Sequence, residues 1–351
     1  MQQTLPDAPL DIIGDIHGEL DALTALLFHL GYDSAGRHPQ GRKIVFVGDL
    51  CDRGPDSPGV ITLVQRLVEN GNAFAVMGNH ELNLLRGERK DGNNWFWDER
   101  NPKEHKFEPY ARANPTGRDD LLKFIGQLPL VLQRDDLRIV HAAWDDKALA
   151  RLLARANEPL LALFDEWEAQ IKASLAQEGL LAESEAELTR WADALPDPEQ
   201  AVPLLPATGL CDERQQMENP VRVLVSGMER LARKPFYSSG KWRFSDRVKW
   251  WDEYEAETPV VVGHYWRQFT PADRKQFGKG DAYLFDAIEP THWHGALGNV
   301  FCVDFSVGGR YQERRSSPQT HQTSKLAALR WPERTLVLDS GETFSTGGYR
   351  G

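Results

Sequence analysis

Short apolar runs that end in Gly or polar residues recur along the chain. Two of them, LDII from Leu10 to Ile13 and KIVFV from Lys43 to Val47, are rich in Ile, Val and Phe. Continuous apolar runs of this length are typical of strands buried on both faces of a sheet. AFAVM, LRIV, PVVV and NVFCV are further runs of this kind, so the pattern predicts six buried strands.

Between the strands, apolar residues recur at the spacing of amphipathic helices. In ELDALTALLFHLG, five leucines at helical spacing precede Gly31, which would end the helix as a C-cap. DSPGVITLVQRLVENG follows the same pattern and would end at Gly71. Because strands alternate with helices, the sequence predicts an α/β domain.

Polar residues follow each of the six predicted strands at its C-terminal side. They are Asp15 and His17, then Asp49, Asp52 and Arg53, then Asn79 and His80, and finally His141, His264 and Asp304. In open α/β sheets, sites form beyond the carboxyl ends of the strands. We therefore expect these side chains to meet in one cleft.

Two segments interrupt the alternating pattern. Residues 86–118 are polar and aromatic and predict a long loop. Residues 146–193 are rich in Ala, Leu and Glu at helical spacing and precede the Pro-rich stretch LPDPEQAVPLLPATG. We expect a discontinuous core of residues 1–145 and 220–340, with a helical cap and linker at 146–219.

Near the end of the sequence, KLAALRWPERTLVLD predicts a β-hairpin, and residues 310–324 predict a polar loop.

Composition narrows the class of protein. The net charge of −11 makes the chain a poor general binder of nucleic-acid backbone, so no nucleic-acid partner is expected. Its three cysteines form no C-x-x-C motif, which argues against a disulfide scaffold and a structural zinc knuckle. No signal peptide or membrane-length apolar run is visible, so we expect a cytoplasmic protein without a membrane partner.

The strand-end residues include a set of oxygen and nitrogen donors without a thiolate. The set is Asp15, His17, Asp49, Asn79, His141 and His264. Such donors suit Mn²⁺, Fe or Zn²⁺. Two ions roughly 3.5–4 Å apart are a recurring solution for phosphoester hydrolysis, and a shared carboxylate must bridge them. Asp49 is the natural candidate for that carboxylate.

The motifs GDIHGE, GDLCDRGPDS and GNHE occur in this order, and VHAAW and VVGHYW follow later. The sequence resembles the calcineurin-like metallophosphoesterases. It looks most similar to their phosphoprotein-phosphatase branch, which includes serine/threonine protein phosphatases and bacterial symmetrical dinucleoside polyphosphate hydrolases. The resemblance implies a four-layer α/β/β/α sandwich of two mixed sheets, here with a helical insertion.

The same resemblance implies two divalent metal ions, with manganese expected first and iron or zinc as alternatives. The first ion would be held by Asp15, His17 and Asp49, and the second by Asp49, Asn79, His141 and His264. His80 would protonate the leaving oxygen, held in the right tautomer by Asp52, and Arg53 would bind the phosphoryl oxygens.

Substrate-binding residues are less clearly marked. The family's second phosphate-binding arginine would be Arg247, with Arg243 as the alternative. Trp144 and Trp266 each lie close to a proposed ligand histidine and could line the pocket. The sequence departs from the family pattern at HAAW and GHYW, which bears on substrate specificity rather than on the metal ligands.

Three other features are expected to have a structural role rather than a catalytic or metal-binding one. We expect Glu81 to help start the helix after Asn79 through its charge near the helix N-terminus. Cys51 is expected to face the core, and His292 and His294 in THWHG are expected to be surface loop histidines.

Three functions follow from these interpretations. The first is hydrolysis of a phosphomonoester, with phosphorylated Ser, Thr or Tyr of a protein as a substrate. The second is hydrolysis of dinucleoside polyphosphates such as diadenosine tetraphosphate. The third is a non-catalytic phospho-binding protein, which the retention of His80 argues against. The expected partners are accordingly a phosphorylated small molecule, a nucleotide or a phosphoprotein.

Overall fold

The computed structural model describes residues 1–99, 101–238, 240–271, 280–316 and 323–351. The chain divides into two compact units. The first comprises Met1–Ala142, Trp251–Pro271 and Ala287–Gly351, and the second comprises Ala143–Trp250 and Ala272–Asp286. Of the second stretch of the second unit, only residues 280–286 are described.

The strands and helices follow in chain order. They are β1 (Gln2–Thr4), β2 (Leu10–Ile13), α1 (Leu20–Leu30), β3 (Lys43–Phe46), α2 (Ser57–Glu69), β4 (Ala73–Ala75), α3 (Asn79–Leu85), α4 (Arg118–Ile125), β5 (Val131–Arg134), β6 (Leu137–Val140), α5 (Asp146–Leu153), α6 (Leu160–Gln177), α7 (Leu180–Arg190), α8 (Pro206–Met217), α9 (Pro220–Ser226), β7 (Glu229–Ser238), β8 (Lys241–Arg247), β9 (Val260–Val262), β10 (Val300–Cys302), α10 (Arg310–Ser316), β11 (Ala327–Trp331), β12 (Thr335–Leu338) and β13 (Thr343–Ser345). Short 3₁₀ turns lie at Pro102–Phe107, Pro115–Gly117, Trp250–Asp252 and Val307–Gly309.

One mixed sheet of the first unit has the strand order β13-β12-β11-β2-β3-β4. Its strands β2, β3 and β4 are parallel, and their registers align Ile13 with Phe46 and Phe46 with Ala75. The three strands therefore end at the same level. This alignment brings the loops that follow them, which carry Asp15, Asp49 and Asn79, to one edge of the sheet.

The other mixed sheet has the order β1-β5-β6-β9-β10. Strands β6, β9 and β10 are parallel, with Ile139 opposite Val261 and Val262 opposite Cys302. Their carboxyl ends lead into the segments that carry His141, His264 and Asp304. Both sheets thus present strand ends with polar residues, as the sequence predicts.

The two sheets pack against each other through one apolar core. Ile12 and Val45 from the first sheet and Ile139, Val261 and Phe301 from the second belong to the same buried cluster. The predicted α/β class with two mixed sheets is confirmed. The predicted hairpin near the end of the chain is also confirmed, because β11 and β12 pair in antiparallel register.

Both predicted helices of the first unit are present. In α1, Leu23 and Leu26 are buried, and Gly31 ends the helix in the left-handed conformation at φ 95°. Helix α2 begins after Asp56, whose side chain accepts the Gly59 backbone amide.

The second unit consists of α5 to α9 and the β7–β8 hairpin. Phe244 of the hairpin packs in a core with Val202 and Leu205, and the Leu231 backbone amide donates to Glu213 Oε2 of α8. The unit therefore runs on to Trp250, whereas the sequence placed residues 220–250 in the core. The reason is that the hairpin packs on helix α8, a contact that no local pattern of the sequence announces.

A helix occupies the start of the segment that was expected to be a polar loop. Residues 310–316 form α10, anchored by buried Arg310, which donates to Ser324 O and to Asp339 Oδ2. The expectation of a loop was therefore wrong for this stretch. Residues 317–322 lie outside the described residues.

Across the described parts of the chain, none of the helices has the length and apolar character that crossing a membrane requires.

Candidate metal centre

Backbone hydrogen bonds join the loops after β2 and β3, and the loop after β4 lies close against the loop after β3. The amides of Ile16 and His17 both donate to Asp49 O, each at 2.9 Å. His17 and Asp49 both have φ 48°, a left-handed conformation that is uncommon for residues with a side chain. A Cβ on Gly48 would lie 2.7 Å from Gly78 N, so glycine at this position permits close approach of the two loops.

Glu81 fastens the same loops together. As predicted, it lies in the first turn of a helix, α3, and its Oε2 accepts the Gly78 amide at 2.9 Å. In addition, Oε2 accepts the Asp49 amide and Oε1 accepts the Leu50 amide, both at 2.8 Å. The buried carboxylate thus holds the Asp49 loop against the start of α3, a role that the sequence analysis missed.

Two groups of donor atoms lie close together in the first unit. One comprises His17, Asp49 and His80, the other comprises Asp49, His141 and His264, and within each group the ligand atoms lie within 4.8 Å of one another. Asp49 Oδ2 is 3.8 Å from His17 Nε2 and 3.4 Å from His141 Nε2. Asp49 therefore belongs to both groups, where the sequence placed the bridging carboxylate.

Asn79 lies at the second of these groups. Its Oδ1 is 3.0 Å from His264 Nδ1 and 3.3 Å from His141 Nε2. The structure therefore brings together all of the residues that were predicted to hold the second metal ion. Since Asn79 begins α3, the helix start fixes the position of its amide.

Asp15 is buried beside these residues but is in neither group. Its two carboxylate oxygens lie 3.2 and 3.0 Å from the backbone amide of His264, from which they accept. Gly263 is required next to it, because a Cβ there would lie 2.0 Å from Asp15 Oδ1. His80, rather than Asp15, accompanies His17 and Asp49 in the compact first group.

The electrostatics of the site favour the metal-binding forms of His17 and Asp49. Burial, together with the nearby Arg53 charge, lowers the pKa of His17 well below its usual value. Burial alone would raise the pKa of Asp49, but the His141 and His80 rings outweigh it and hold the pKa well below the usual range. A neutral imidazole and an ionised carboxylate are the forms that bind metals.

The pKa of Asp15 is shifted in the opposite direction to that of Asp49. Burial, followed by repulsion from Asp304 and Asp49, raises its pKa well above the usual value. A cation among these carboxylates would relieve that repulsion. The donor set is made of carboxylate, amide and imidazole groups, so the site fits divalent cations. The same donors suit manganese, iron and zinc, and the preference for manganese stays a prediction.

His80 and Asp52 form the predicted pair. His80 Nδ1 lies 2.5 Å from Asp52 Oδ2, and both side chains are buried. The His80 backbone amide donates to Asp49 Oδ1 at 3.1 Å. The imidazole therefore presents Nε2 to the donor groups while Nδ1 is engaged by the carboxylate.

The Arg53 guanidinium spans the two histidines of the first group. Its Nη1 lies 2.9 Å from His17 Nε2, and its Nη2 lies 3.0 Å from His80 Nε2. Trp266 stacks on it, with the guanidinium carbon 5.0 Å from the ring centroid. Trp266, predicted to line the pocket, thus lies directly beside a predicted phosphate-binding residue.

The two other predicted substrate-binding residues, Trp144 and Arg247, lie in the second unit. Trp144 is buried, and its indole nitrogen donates to Asp146 Oδ1 at 2.8 Å. Arg247 ends β8 and pairs in register with Glu229 of β7. Arg243, the alternative to Arg247, lies on the same strand. A role for either arginine or for Trp144 in substrate binding stays a prediction.

The sequence pattern places Asp304 at a strand end but indicates no role for it. Its carboxylate accepts the Trp266 amide at 2.6 Å and the Ser306 amide at 2.8 Å, so it holds the turn that carries Trp266. The signal that the sequence offered for this role was a carboxylate placed directly after an apolar strand.

Cys51 and His292 lie where the sequence predicted, whereas His294 does not. Cys51 is buried, with its Sγ 3.3 Å from Glu81 Oε1, and His292 is exposed, as expected. The surface assignment of His294 was wrong. That ring is buried, and its Nε2 accepts a hydrogen bond from the backbone amide of Cys302. The cause is an isolated antiparallel β-bridge between His294 and Val300, which folds the loop inward.

Comparisons with known proteins agree with this geometry. A family profile described as calcineurin-like phosphoesterase matches residues 8–211. The chain is 51% identical over 80 residues to the asymmetrical bis(5'-nucleosyl)-tetraphosphatase PrpE of Oceanobacillus iheyensis, a match that covers 22% of this chain and 32% of that protein. To the PrpE protein of a Geobacillus species, strain WCH70, it is 36% identical over 145 residues, which cover 38% and 56%.

The matched segments thus span between about a third and just over half of these relatives' length. Among solved structures, a cold-active protein-tyrosine phosphatase from a psychrophilic Shewanella species aligns over 98% of this chain and 83% of that chain, with a TM-score of 0.46 and 15% identity.

Proposed function

Because the chain belongs to the calcineurin-like phosphoesterase family, we propose that it is a metal-dependent phosphohydrolase that cleaves a phosphoanhydride bond of a dinucleoside polyphosphate. The observation that carries the chemistry is the position of Asp49 in both donor groups. A carboxylate shared between two adjacent sites is what a binuclear centre requires.

The site residues divide into two sets around Asp49. We assign to the first set His17 and Asp15, the latter buried beside the compact donor groups but in neither of them, and to the second set Asn79, His141 and His264. When bound, two divalent cations lower the pKa of a water molecule and neutralise charge on the phosphoryl group. Glu81 supports this arrangement, since it fixes the Asp49 loop through two backbone amides.

The remaining steps belong to side chains of this protein. The Arg53 fork binds the phosphoryl oxygens, and the Trp266 ring below it limits its orientation. His80 donates a proton from Nε2 to the leaving oxygen, while Asp52 holds the other ring nitrogen. This pair also argues against a purely phospho-binding protein, because binding alone does not need a positioned acid.

The names of the relatives support the nucleotide substrate better than the phosphoprotein substrate that was expected first. Both relatives described above are named as asymmetrical bis(5'-nucleosyl)-tetraphosphatases, whereas the sequence motifs suggested the symmetrical type. We therefore propose asymmetrical cleavage. In a chain of four phosphates, attack at the phosphorus next to one nucleoside releases a nucleoside monophosphate and a nucleoside triphosphate.

The test is product analysis with metal-reconstituted protein and diadenosine tetraphosphate. The proposal predicts AMP and ATP as the initial products, and no turnover by Asp49→Asn. Two molecules of ADP would contradict the asymmetrical cleavage. Hydrolysis of a phosphopeptide without any hydrolysis of the dinucleotide would replace the proposed substrate with a phosphoprotein, and hydrolysis of neither substrate would overturn the function itself.

A further inference from the structure

The long segment of residues 86–118 reaches the proposed acid–base pair through one indole. Trp95 Nε1 donates to Asp52 Oδ1 at 2.7 Å, while the other carboxylate oxygen, Oδ2, lies 2.5 Å from His80 Nδ1. Trp95 is 2% exposed and Asp52 is 0% exposed, so water does not compete for either hydrogen bond. Both carboxylate oxygens of Asp52 are thus engaged, one by the segment and one by the histidine.

The segment is also attached to the residues that follow Asp52. The Arg53 amide donates to Gly92 O at 3.0 Å, and the Ala111 amide donates to Pro55 O at 2.7 Å. A Cβ on Gly92 would lie 2.7 Å from Arg53 Cγ, and Gly92 has φ 96°, so only glycine allows this approach without strain. Side-chain and backbone atoms of the segment therefore both contact the loop after β3, which carries Asp52 and Arg53.

Trp95 is itself held in place. The Ala113 amide donates to Trp95 O at 3.0 Å, which closes the segment on itself, and the Phe96 ring packs edge-on at 5.5 Å between centroids. Because the indole is fixed in this way, its N–H points in a constant direction toward the Asp52 carboxylate. A short hydrogen bond from a rigid donor restricts the rotation of a carboxylate.

We propose that Trp95 is a positioning residue for catalysis, which orients Asp52 so that the carboxylate keeps the His80 ring aimed at the leaving oxygen. The inference rests on the proposed function of His80 as the acid, and it assigns the segment 86–118 a role in turnover. The single N–H of the Trp95 indole donates to Asp52, so we expect its effect on catalysis to pass through that carboxylate.

The decisive comparison is between Trp95→Phe and Trp97→Phe. Phenylalanine keeps an aromatic ring and removes the N–H donor together with part of the ring volume, and both variants share that loss of volume. Trp97 lies in the same segment, but its indole donates to Asn93 Oδ1 at 3.0 Å, within the segment. We expect Trp95→Phe to lower kcat by about tenfold with KM and metal content unchanged, as for the loss of a hydrogen bond to a charged group. Trp97→Phe should leave kcat unchanged.

A double-mutant cycle tests whether the effect passes through Asp52. In an Asp52→Asn background, Trp95→Phe should cause no further loss of kcat, because the group that it positions is already altered. Additive losses would overturn the proposal. So would a kcat for Trp95→Phe equal to that of Trp97→Phe. Trp95→His, which retains a ring N–H, should recover part of kcat and serves as a second variant if the phenylalanine variant does not fold.

A readout that needs no activity separates this inference from the proposed function. We expect the proton NMR resonance of His80 Nδ1–H to be present in the wild type and in Trp97→Phe, and to be broadened or lost in Trp95→Phe. If the wild type hydrolysed neither diadenosine tetraphosphate nor a phosphopeptide, the proposed function would fail, and this resonance alone would decide the positioning role. An unchanged resonance in Trp95→Phe would contradict it.

Discussion

The Glu81 carboxylate accepts a hydrogen bond from the backbone amide of Asp49 at 2.8 Å, and it thereby joins the start of a helix to the loop whose carboxylate belongs to both donor groups. The same carboxylate accepts two further amides, those of Leu50 and Gly78. Three amide donors directed at one buried carboxylate define the local conformation of both loops.

Glu81→Gln should therefore weaken both stability and metal binding. The amide nitrogen of glutamine cannot accept, so at least one buried backbone N–H loses its acceptor, at a cost of about 1–3 kcal/mol. Metal affinity should fall by roughly 10- to 100-fold, as for other groups that orient ligands. Urea unfolding and metal titration measure the two effects.

The matched control is Glu69→Gln, which makes the same change at an exposed position of α2. It should leave both quantities unchanged. Equal behaviour of the two variants would show that the Glu81 contacts do not support the metal centre.

Asn79 and His80 are adjacent but have different predicted roles. Asn79→Ala should lower the affinity for metal by at least about tenfold, because it removes a ligand oxygen. His80→Asn should lower kcat by roughly 10²- to 10⁴-fold while metal is retained, because it removes the proton donor. Metal analysis beside steady-state kinetics separates the two.

Equal loss of metal in Asn79→Ala and His80→Asn would give His80 a different role. His80 Nε2 lies 3.9 Å from Asp49 Oδ2 and shares a donor group with His17. If both variants lost metal to the same extent, His80 would be a ligand, and the assignment of the acid would be wrong.

Gly48 allows the two ligand loops to approach each other. A Cβ at this position would lie 2.7 Å from Gly78 N and 2.9 Å from His141 Nδ1. Gly48→Ala should destabilise the fold by about 1–3 kcal/mol beyond the cost of its positive φ, as overpacking does. Thermal or urea unfolding measures this.

Gly71→Ala isolates the cost of backbone conformation. Gly71 also has a positive φ, 69°, but apart from its own chain neighbours no atom of the described residues lies within 4 Å of the position that a Cβ would take there. We expect this substitution to destabilise the fold by about 1 kcal/mol. Equal losses for the two alanine variants would mean that the close approach at Gly48 is relieved at no cost.

Glu104 should make stability depend on pH. It is buried and accepts the Gly92 amide at 2.7 Å, and burial together with the nearby Asp91 carboxylate raises its pKa from 4.5 to about 7. The folded state then binds the proton more tightly than the unfolded state. Stability therefore falls as the pH rises between these two values and levels off above the higher one.

The measurement is the free energy of unfolding of the wild type and of Glu104→Gln at several pH values between about 5 and about 8. Glutamine keeps an acceptor for the Gly92 amide but does not titrate. The wild type should lose stability relative to the variant over this range. Parallel curves would show that Glu104 titrates normally.

The sequence predicted that the candidate ligands would lie together, because each one follows an apolar strand. Asp15, Asp49, Asn79, His141 and His264 could all be recognised by their position at a strand end, and parallel strands in register bring such ends together. The first two helices could be predicted for a similar reason, since their apolar residues repeat at helical spacing.

The contacts that support these ligands could not be predicted in the same way. Trp95 lies 43 residues from Asp52 in a segment without periodicity, so no local pattern announces the hydrogen bond between them. The burial of His294 depends on pairing with Val300 across a loop. The β7–β8 hairpin mixes buried and exposed positions irregularly around a shift in register, which hides the alternation expected of a strand.

Metal stoichiometry tests the central claim most directly. Metal-depleted protein is titrated with Mn²⁺ while bound metal and hydrolysis of diadenosine tetraphosphate are followed in the same samples. Two equivalents per chain, with turnover appearing only as the second binds, is the predicted result, and Asp49→Asn should lose both sites and turnover together. A single equivalent at full activity, or two retained equivalents in Asp49→Asn, would contradict the shared-ligand centre.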